Sequence, residues 1–287
     1  MNTSEFIKKV KEHLSVYKRK LGIPEDEKGI FYRRGERLEY GHILRALRGR
    51  KMNFLPSIRE PLWSYVLEKE IELHTCFLHL NSSQAMCMNF FYPLFIIRQL
   101  ESVIFPFLPD QVNGEIIDYD SVCFEKPGSE AEWLGENKTE MIDCRPTSFD
   151  FYFRTTSGTK FFFEVKYTES KFSGTKSDEE HIKKYNFVYK NHLSHIKDEY
   201  CTQKVFFRNY QIMRNLAHID KDSLVIFIYP SQNKGIVNGI KIAENALKNY
   251  TDHFIPIEWK NLVAMVESRL EEKFIEEFKE KYLNFEH

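Results

Sequence analysis

Two aromatic-rich runs on either side of Thr156-Ser157-Gly158 constrain the fold of this chain more than any other feature. A three-residue loop with Gly at its last position favours a β-hairpin, because that position takes a left-handed backbone conformation. A hairpin centred on Ser157 places Asp150 opposite Glu164, and the alternation of side chains adds Lys166 to the same face. The opposite face is predicted to be wholly apolar and to consist of Phe149, Phe151, Phe153, Phe161, Phe163, Val165 and Tyr167.

The charged face of this hairpin favours metal-assisted chemistry. Directly opposed residues have Cβ atoms roughly 4.5–5.5 Å apart, so Asp150 and Glu164 repel unless a cation lies between them. Carboxylate oxygens suit Mg²⁺, and a nearby Lys166 can orient or help to deprotonate an attacking water. The pattern therefore predicts phosphodiester hydrolysis. On the residues alone, a solvated face with cross-strand ion pairs worth at most about 1 kcal/mol stays open.

The order of the predicted elements indicates a mixed α/β fold. Residues 1–75 have helical patterns with no evident strand, and a helical block begins at Asn81 and is interrupted at Pro93. Runs at 116–124, 149–154, 160–167 and 224–229 predict the strands of a central sheet, and residues 262–282 predict one amphipathic helix. The predicted organisation is a helical region at 1–75, a core at 76–260 and a packed helix at 261–287.

Composition excludes several classes of protein. The net charge is −1, with 41 basic and 42 acidic residues, which excludes a uniformly basic polyanion binder. The apolar runs are shorter than the roughly 20 residues of a membrane span, so no membrane association is expected. The amino terminus lacks the pattern of a secretory signal, which predicts a cytoplasmic protein. The five cysteines form no CxxC pair, which favours reduced, buried thiols over zinc ligands.

Four stretches of the chain together resemble the PD-(D/E)xK nuclease superfamily. Asp150 with Glu164-Val165-Lys166 carries the superfamily pattern, although Phe149 stands at the proline position and Pro146 is the nearest proline. Three further stretches are similar to a family of bacterial restriction endonucleases within it: residues 81–94, 166–169 and 210–215. The resemblance implies a restriction-endonuclease-like core, a central mixed sheet flanked by helices, with helical additions at both termini. It also implies that Asp150 and Glu164 are metal ligands and that Lys166 is the catalytic lysine.

Other candidate site residues are less well defined by the sequence. An additional acidic ligand is expected from one of four residues: Glu115, Glu125, Glu132 or Glu136. Gln84 fits either a capping box with Asn81 or the edge of the catalytic site, and the resemblance favours the site. Ser83 is a weaker candidate for contact with nucleic acid, because a serine here can simply satisfy local backbone groups.

A later helix presents one polar stripe, formed by Gln211, Arg214, Asn215 and His218. Placed against the sheet, such a stripe can hold phosphate oxygens, which makes Gln211 a candidate catalytic residue. Arg214 and Asn215 are candidates for nucleic-acid contact. An exposed helix face is the alternative, and spacing alone favours it.

A basic segment near the amino terminus is the candidate DNA-contacting surface. Residues 32–51 contain seven Arg or Lys and two Glu, and Tyr32 and Tyr40 lie among them. Guanidinium groups suit phosphates and guanine edges, so we expect Arg45, Arg48 and Arg50 to contact DNA. A solvated charged face is the alternative.

These patterns together predict a cytoplasmic, Mg²⁺-dependent DNA endonuclease of the restriction or phage-defence type, in which Mn²⁺ substitutes for Mg²⁺. A catalytically silent nucleic-acid-binding module on a nuclease fold is one alternative. A nuclease acting on RNA or on DNA-repair intermediates is the other. A homodimer and a partner methyltransferase fit a restriction role.

Overall fold

The computed structural model describes residues 1–112, 114–126 and 148–285 of the chain. The strands are β1 (Gly29–Arg33), β2 (Glu36–Tyr40), β3 (Ile117–Lys126), β4 (Phe149–Thr155), β5 (Lys160–Val165), β6 (Ser223–Tyr229) and β7 (Phe254–Glu258). The helices are α1 (Thr3–Tyr17), α2 (Arg59–Glu68), α3 (Ser83–Ile96), α4 (Leu100–Ile104), α5 (Glu179–Phe187), α6 (Gln203–Arg208), α7 (Tyr210–Leu216), α8 (Lys234–Ala246), α9 (Trp259–Val266) and α10 (Glu272–Tyr282). Among these described segments, no helix is both long and apolar enough to cross a membrane.

The central sheet has five strands in the order β3-β4-β5-β6-β7. The first three are antiparallel neighbours, whereas β6 and β7 continue the sheet in parallel with β5. One face packs against α1, α3, α9 and α10, and the other packs against α6, α7 and α8. The sheet is therefore mixed and covered by helices on both faces, as the predicted fold class requires.

The predicted hairpin of β4 and β5 is confirmed in its register. Phe151 lies opposite Phe163, Phe153 lies opposite Phe161, and Gly158 has φ +102° in the connecting turn. Phe149 departs from the prediction, because its ring packs 4.9 Å from that of Phe162 in the opposite layer. It begins β4 beyond the last residue pair of the hairpin, where the alternation no longer constrains it.

The charged face of the hairpin is buried rather than solvated. Tyr152 and Phe162 lie on it and belong to one buried cluster with Phe206 and Met213. Glu164 is 5% exposed and Lys166 is 6% exposed. The interpretation of these charges as a solvated strand face is therefore wrong, because helices cover this face as well.

The amino-terminal region contains a hairpin where no strand was expected. β1 and β2 pair antiparallel through Arg34-Gly35, and both loop residues have positive φ, +52° and +83°. This two-residue turn is typical of a tight hairpin, and Gly35 is the signal that identifies it. Both strands are only five residues long and contain charged residues, so they lack a clear strand pattern in the sequence.

Packing overrides local sequence at three other places. The predicted interruption at Pro93 is wrong, because α3 continues through this residue. A proline inside a helix destabilises it by about 3 kcal/mol, and the burial of α3 on nearly all sides outweighs this cost. The predicted carboxyl-terminal helix is divided into α9 and α10, which lets Phe278 pack 5.3 Å from Phe90. β7 was missed because it is short and contains Pro256, which an edge strand tolerates.

The cysteines follow the prediction only in part. Cys87 is buried, Cys123 and Cys201 are partly buried, and Cys76 is exposed. None of the four forms a disulfide with another described residue. Cys144 lies outside the described residues. The apolar neighbours of Cys76 therefore do not cover it.

Candidate active site

Three acidic side chains lie on three adjacent strands, at the same end of those strands. Phe124 is paired with Phe151 and Lys126 with Phe149, so Glu125 of β3 lies opposite Asp150 of β4. Continued by one residue beyond its last pair, Phe151 with Phe163, the register of the hairpin brings Asp150 beside Glu164 of β5. The backbone N–H of Val165 donates to Asp150 Oδ2 at 2.6 Å, which ties the start of β4 to the end of β5. The sheet thus aligns Glu125, Asp150 and Glu164 in a row.

This row lines a cavity of about 270 Å³. The side chains around it are His74, Ser83, Glu125, Ser148, Asp150, Glu164, Lys166, Glu169, Gln211 and Arg214. Most of them are charged, so the cavity suits an ionic ligand better than an apolar one.

Glu164 and Lys166 form a buried ion pair. Lys166 Nζ lies 2.6 Å from Glu164 Oε1. Burial lowers the pKa of Lys166, but Glu164, Glu169 and Asp150 raise it, and the net pKa lies above its usual value. Lys166 is therefore protonated at neutral pH and acts as a hydrogen-bond donor and a positive charge, not as a base, in this state.

Two amides from α7 complete the surroundings of Glu164. Gln211 Nε2 donates to Glu164 Oε1 at 2.9 Å, and Asn215 Nδ2 donates to Oε2 at 2.8 Å. The Gln211 carbonyl accepts from the backbone N–H of Ser173, which fixes the orientation of its amide. Asn215 is fully buried, so it orients Glu164 and is not accessible to nucleic acid, contrary to its predicted role.

Asp150 carries an electrostatic penalty in this arrangement. Burial raises its pKa well above the usual value, and the neighbouring Glu164 and Glu125 carboxylates raise it further. A cation in the cavity would oppose this effect by stabilising the ionised form. The electrostatics of the row therefore favour a positively charged ligand.

Of the two candidate additional acids within the described residues, Glu115 and Glu125, only Glu125 lines the cavity. Its Oε2 accepts from Ser148 Oγ at 3.2 Å and lies 3.6 Å from His74 Nε2. Its Oε1 is buried and has no hydrogen-bond partner within the described part of the chain. Its φ of +48° is unusual for a non-glycine residue and indicates a strained backbone at the site.

Glu115 does not join this row. Glu115 accepts hydrogen bonds from Ser157 and Thr159 at the hairpin turn, both at 2.9 Å. Glu132 and Glu136, like Pro146, lie outside the described residues.

Gln84 has a role that neither sequence interpretation anticipated. Its Oε1 accepts from the backbone N–H of His74 at 2.9 Å, and its Nε2 donates to the carbonyl of Glu72 at 3.0 Å. The N-cap of α3 is Ser82, whose Oγ accepts from the N–H of Ala85 at 3.3 Å. Gln84 is buried and does not line the cavity, so it holds the segment that carries His74 and makes no capping box.

The cavity also contains residues that the sequence analysis missed. His74 and Ser148 lie in none of the predicted motifs, and Glu169 lies in the stretch 166–169 but had no predicted role. Ser83 also lines the cavity. His218 of the polar stripe is directed elsewhere, with its ring 4.9 Å from that of Phe149. The stripe is thus divided between the cavity, Glu164 and the core.

The basic segment lies apart from this cavity. Arg45 and Arg50 are exposed, whereas Arg48 forms an ion pair with Glu27 in which Nη2 and Oε2 are 2.8 Å apart. None of the three lines the cavity. Arg48 is therefore engaged within the protein, and the predicted DNA-contacting set is reduced to Arg45 and Arg50 as accessible groups.

The fold and this row of charged residues define an α/β protein with a restriction-endonuclease-like core. The chain belongs to the family described as restriction endonuclease associating with ARP, whose model matches residues 14–283. Membership of a restriction endonuclease family indicates a nuclease with DNA as its substrate. Comparisons with curated proteins and with solved structures give no match.

Proposed function

We propose that the protein is a Mg²⁺-dependent DNA endonuclease of the PD-(D/E)xK type, with Mn²⁺ as a substitute metal. The observation that carries the proposal is the row of Glu125, Asp150 and Glu164 on three adjacent strands, with Lys166 beside it. Carboxylates next to a lysine can bind a phosphodiester together with a divalent cation.

The carboxylates provide a partial ligand set. Glu125 Oε1 is a buried oxygen that lacks a partner among the described residues, and Asp150 is destabilised in its ionised form by its acidic neighbours. Within the described residues, no group of three or more His, Cys, Asp or Glu side chains is arranged to hold an ion unaided. Mg²⁺ commonly keeps several waters and uses one or two carboxylates plus phosphate oxygens, so this donor set fits it.

The side chains have distinct roles in the proposed reaction. Asp150 and Glu164 would hold Mg²⁺, with Glu125 beside them, and the bound metal would activate water and polarise the phosphate. Lys166, kept protonated by Glu164, donates to the water or to a phosphate oxygen on which charge develops. Gln211 and Asn215 keep the Glu164 carboxylate oriented during this step.

The test is cleavage of plasmid and linear DNA by the wild type, Asp150→Ala and Lys166→Ala in Mg²⁺ or Mn²⁺, with EDTA controls. We expect each variant to lose at least 100-fold in rate, because groups that act on charge in the transition state contribute about 10²–10³-fold. Asp120→Ala, an exposed acid on β3, is the matched control and retains activity. Cleavage that survives both substitutions and EDTA would eliminate the site.

One observation favours a catalytically silent binding module as a second candidate. Both oxygens of Glu164 are already engaged by Lys166, Gln211 and Asn215, as in a satisfied structural carboxylate. Metal-independent DNA binding without cleavage of any substrate would support this alternative. Labelled RNA and branched DNA in the same assay separate the remaining substrate classes.

The biological role belongs to the same proposal. A restriction or phage-defence enzyme acts in the cytoplasm and is matched by a methyltransferase that protects host DNA. Double-strand cleavage favours a homodimer, because each site cuts one strand. Comparing cleavage of methylated and unmethylated DNA tests the first point, and sedimentation of the DNA complex tests the second.

A further inference from the structure

Arg214 is a cation in an acidic cavity. It lines the same cavity as Glu125, Asp150, Glu164 and Glu169, yet it forms no ion pair with any of these described residues. Its Nε is buried and lacks a hydrogen-bond partner within the described part of the chain. A buried donor left unpaired costs roughly 1–3 kcal/mol. The side chain is thus arranged for a group that the neighbouring described residues do not supply.

The guanidinium of Arg214 contacts an aromatic ring. Its central carbon lies over the Tyr210 ring, 5.6 Å from the ring centroid, within the range of a cation–π interaction. Tyr210 in turn packs against the rings of His181, at 5.4 Å, and Phe206, at 5.9 Å. The contact with Tyr210 is not a hydrogen bond, so it leaves the N–H donors of Arg214 available to an anion.

We propose that Arg214 forms a phosphate-binding subsite, preorganised by Tyr210, that contacts a backbone phosphate of the bound strand beside the carboxylate row. The proposal rests on the proposed function for its ligand. A phosphodiester bound with a divalent cation presents positive charge to Glu125, Asp150 and Glu164. Its negative oxygens face Arg214, so one ligand can bind both the acidic row and the arginine. Arginine donates to phosphate through two parallel hydrogen bonds, which lysine cannot reproduce.

The test measures DNA affinity as a function of salt in the Asp150→Ala background, so that the strand stays intact. We expect Arg214→Ala to weaken binding to a short labelled duplex irrespective of its sequence. We also expect the slope of log K against log[salt] to fall by about one, the contribution of a single phosphate contact. Arg214→Lys retains the slope but binds more weakly than the parent. Arg208→Ala, an exposed arginine on the adjacent helix α6, is the matched control and leaves the slope unchanged.

A second measurement identifies the phosphate. Single methylphosphonate substitutions along the strand remove one charge at a time. At one position, the substitution should weaken binding by the parent but have no effect on Arg214→Ala. Parallel thermal unfolding checks that each variant is folded.

The outcomes separate this proposal from the proposed function. An unchanged salt slope in Arg214→Ala, or identical methylphosphonate profiles, overturns the phosphate subsite even if the wild type cleaves DNA. A reduced slope in a protein whose wild type cleaves no substrate supports the subsite and removes the nuclease assignment.

Discussion

At the scale of single residues, the state of Glu164 depends on three donors from two parts of the chain. Lys166 is two positions away, whereas Gln211 and Asn215 come from α7. A buried carboxylate is stable as an anion only if hydrogen bonds and charge replace the water it has lost. Asn215 contributes one of these bonds from a position with no exposure to solvent, so a change there acts directly on Glu164.

Asn215→Asp should therefore destabilise the protein in a pH-dependent way. It replaces a donor 2.8 Å from Glu164 Oε2 by a second carboxylate, and the lost charged hydrogen bond alone costs about 1.5–3 kcal/mol. Repulsion raises the folded-state pKa of the pair above the unfolded value, so the folded state binds more protons than the unfolded state. The deficit in unfolding free energy should be larger at pH 8 than at pH 5.

Urea unfolding of the wild type and the variant in EDTA at both pH values measures this deficit. Asn238→Asp places the same change on the exposed side of α8 and should differ from the wild type by less than about 0.5 kcal/mol. A deficit independent of pH would show that the introduced carboxylate does not interact with Glu164.

At the scale of elements, the start of α8 holds the segment that follows Lys166. Asn233 Nδ2 donates to the carbonyls of Tyr167, at 3.2 Å, and Glu169, at 2.8 Å. Gly235 approaches the same segment so closely that an added Cβ would lie 1.8 Å from the Ser170 carbonyl oxygen. The close approach requires glycine at this position, because the obstructing atom belongs to the backbone.

Gly235→Ala should move this segment and reduce both stability and cleavage. A forced shift of packed backbone typically costs about 1–3 kcal/mol, and the displacement reaches Glu169 on the cavity wall. Thermal unfolding and the DNA cleavage rate measure the two effects. Asn238→Ala, on the exposed side of the same helix, should leave both unchanged. Wild-type values for Gly235→Ala would mean that the two elements can separate without consequence.

At the scale of the whole molecule, the terminal regions share a core with the central sheet. Phe6, Phe151 and Phe278 belong to one buried cluster. The carbonyl of Tyr282 accepts from the hydroxyl of Tyr167 at 2.8 Å, so α10 also contacts the strand end that carries Lys166. The predicted regions at 1–75 and 261–287 are therefore packed on the central one.

The basic segment on this packed amino-terminal region yields a prediction about DNA binding. Replacing Arg45, Arg48 and Arg50 together by Ala should weaken binding and flatten its salt dependence. Because Glu27 holds Arg48, most of the effect should come from Arg45 and Arg50. The double variant Arg45→Ala/Arg50→Ala should match the triple variant in salt slope, whereas Arg48→Ala alone should leave the slope unchanged. Equal slopes for the wild type and the triple variant would exclude this surface.

The local geometry of the hairpin was predictable from the sequence. The turn at Thr156-Ser157-Gly158 and the alternation of aromatic residues determine its register, because both act over a few neighbouring residues. The juxtaposition of Asp150, Glu164 and Lys166 follows from that register. Mixed α/β class likewise follows from the order of helical and strand patterns.

Only the tertiary structure shows that Glu125 lines the cavity and which groups the amide side chains bind. Glu125 lies opposite Asp150 because of the register between β3 and β4, which no short turn specifies. Gln211 meets Glu164 across 47 positions of sequence. Gln84 was predicted to lie either in a capping box or at the edge of the site, whereas it binds the chain near His74. Local propensity acts through adjacent residues, whereas burial and hydrogen bonding between distant segments depend on how the elements pack.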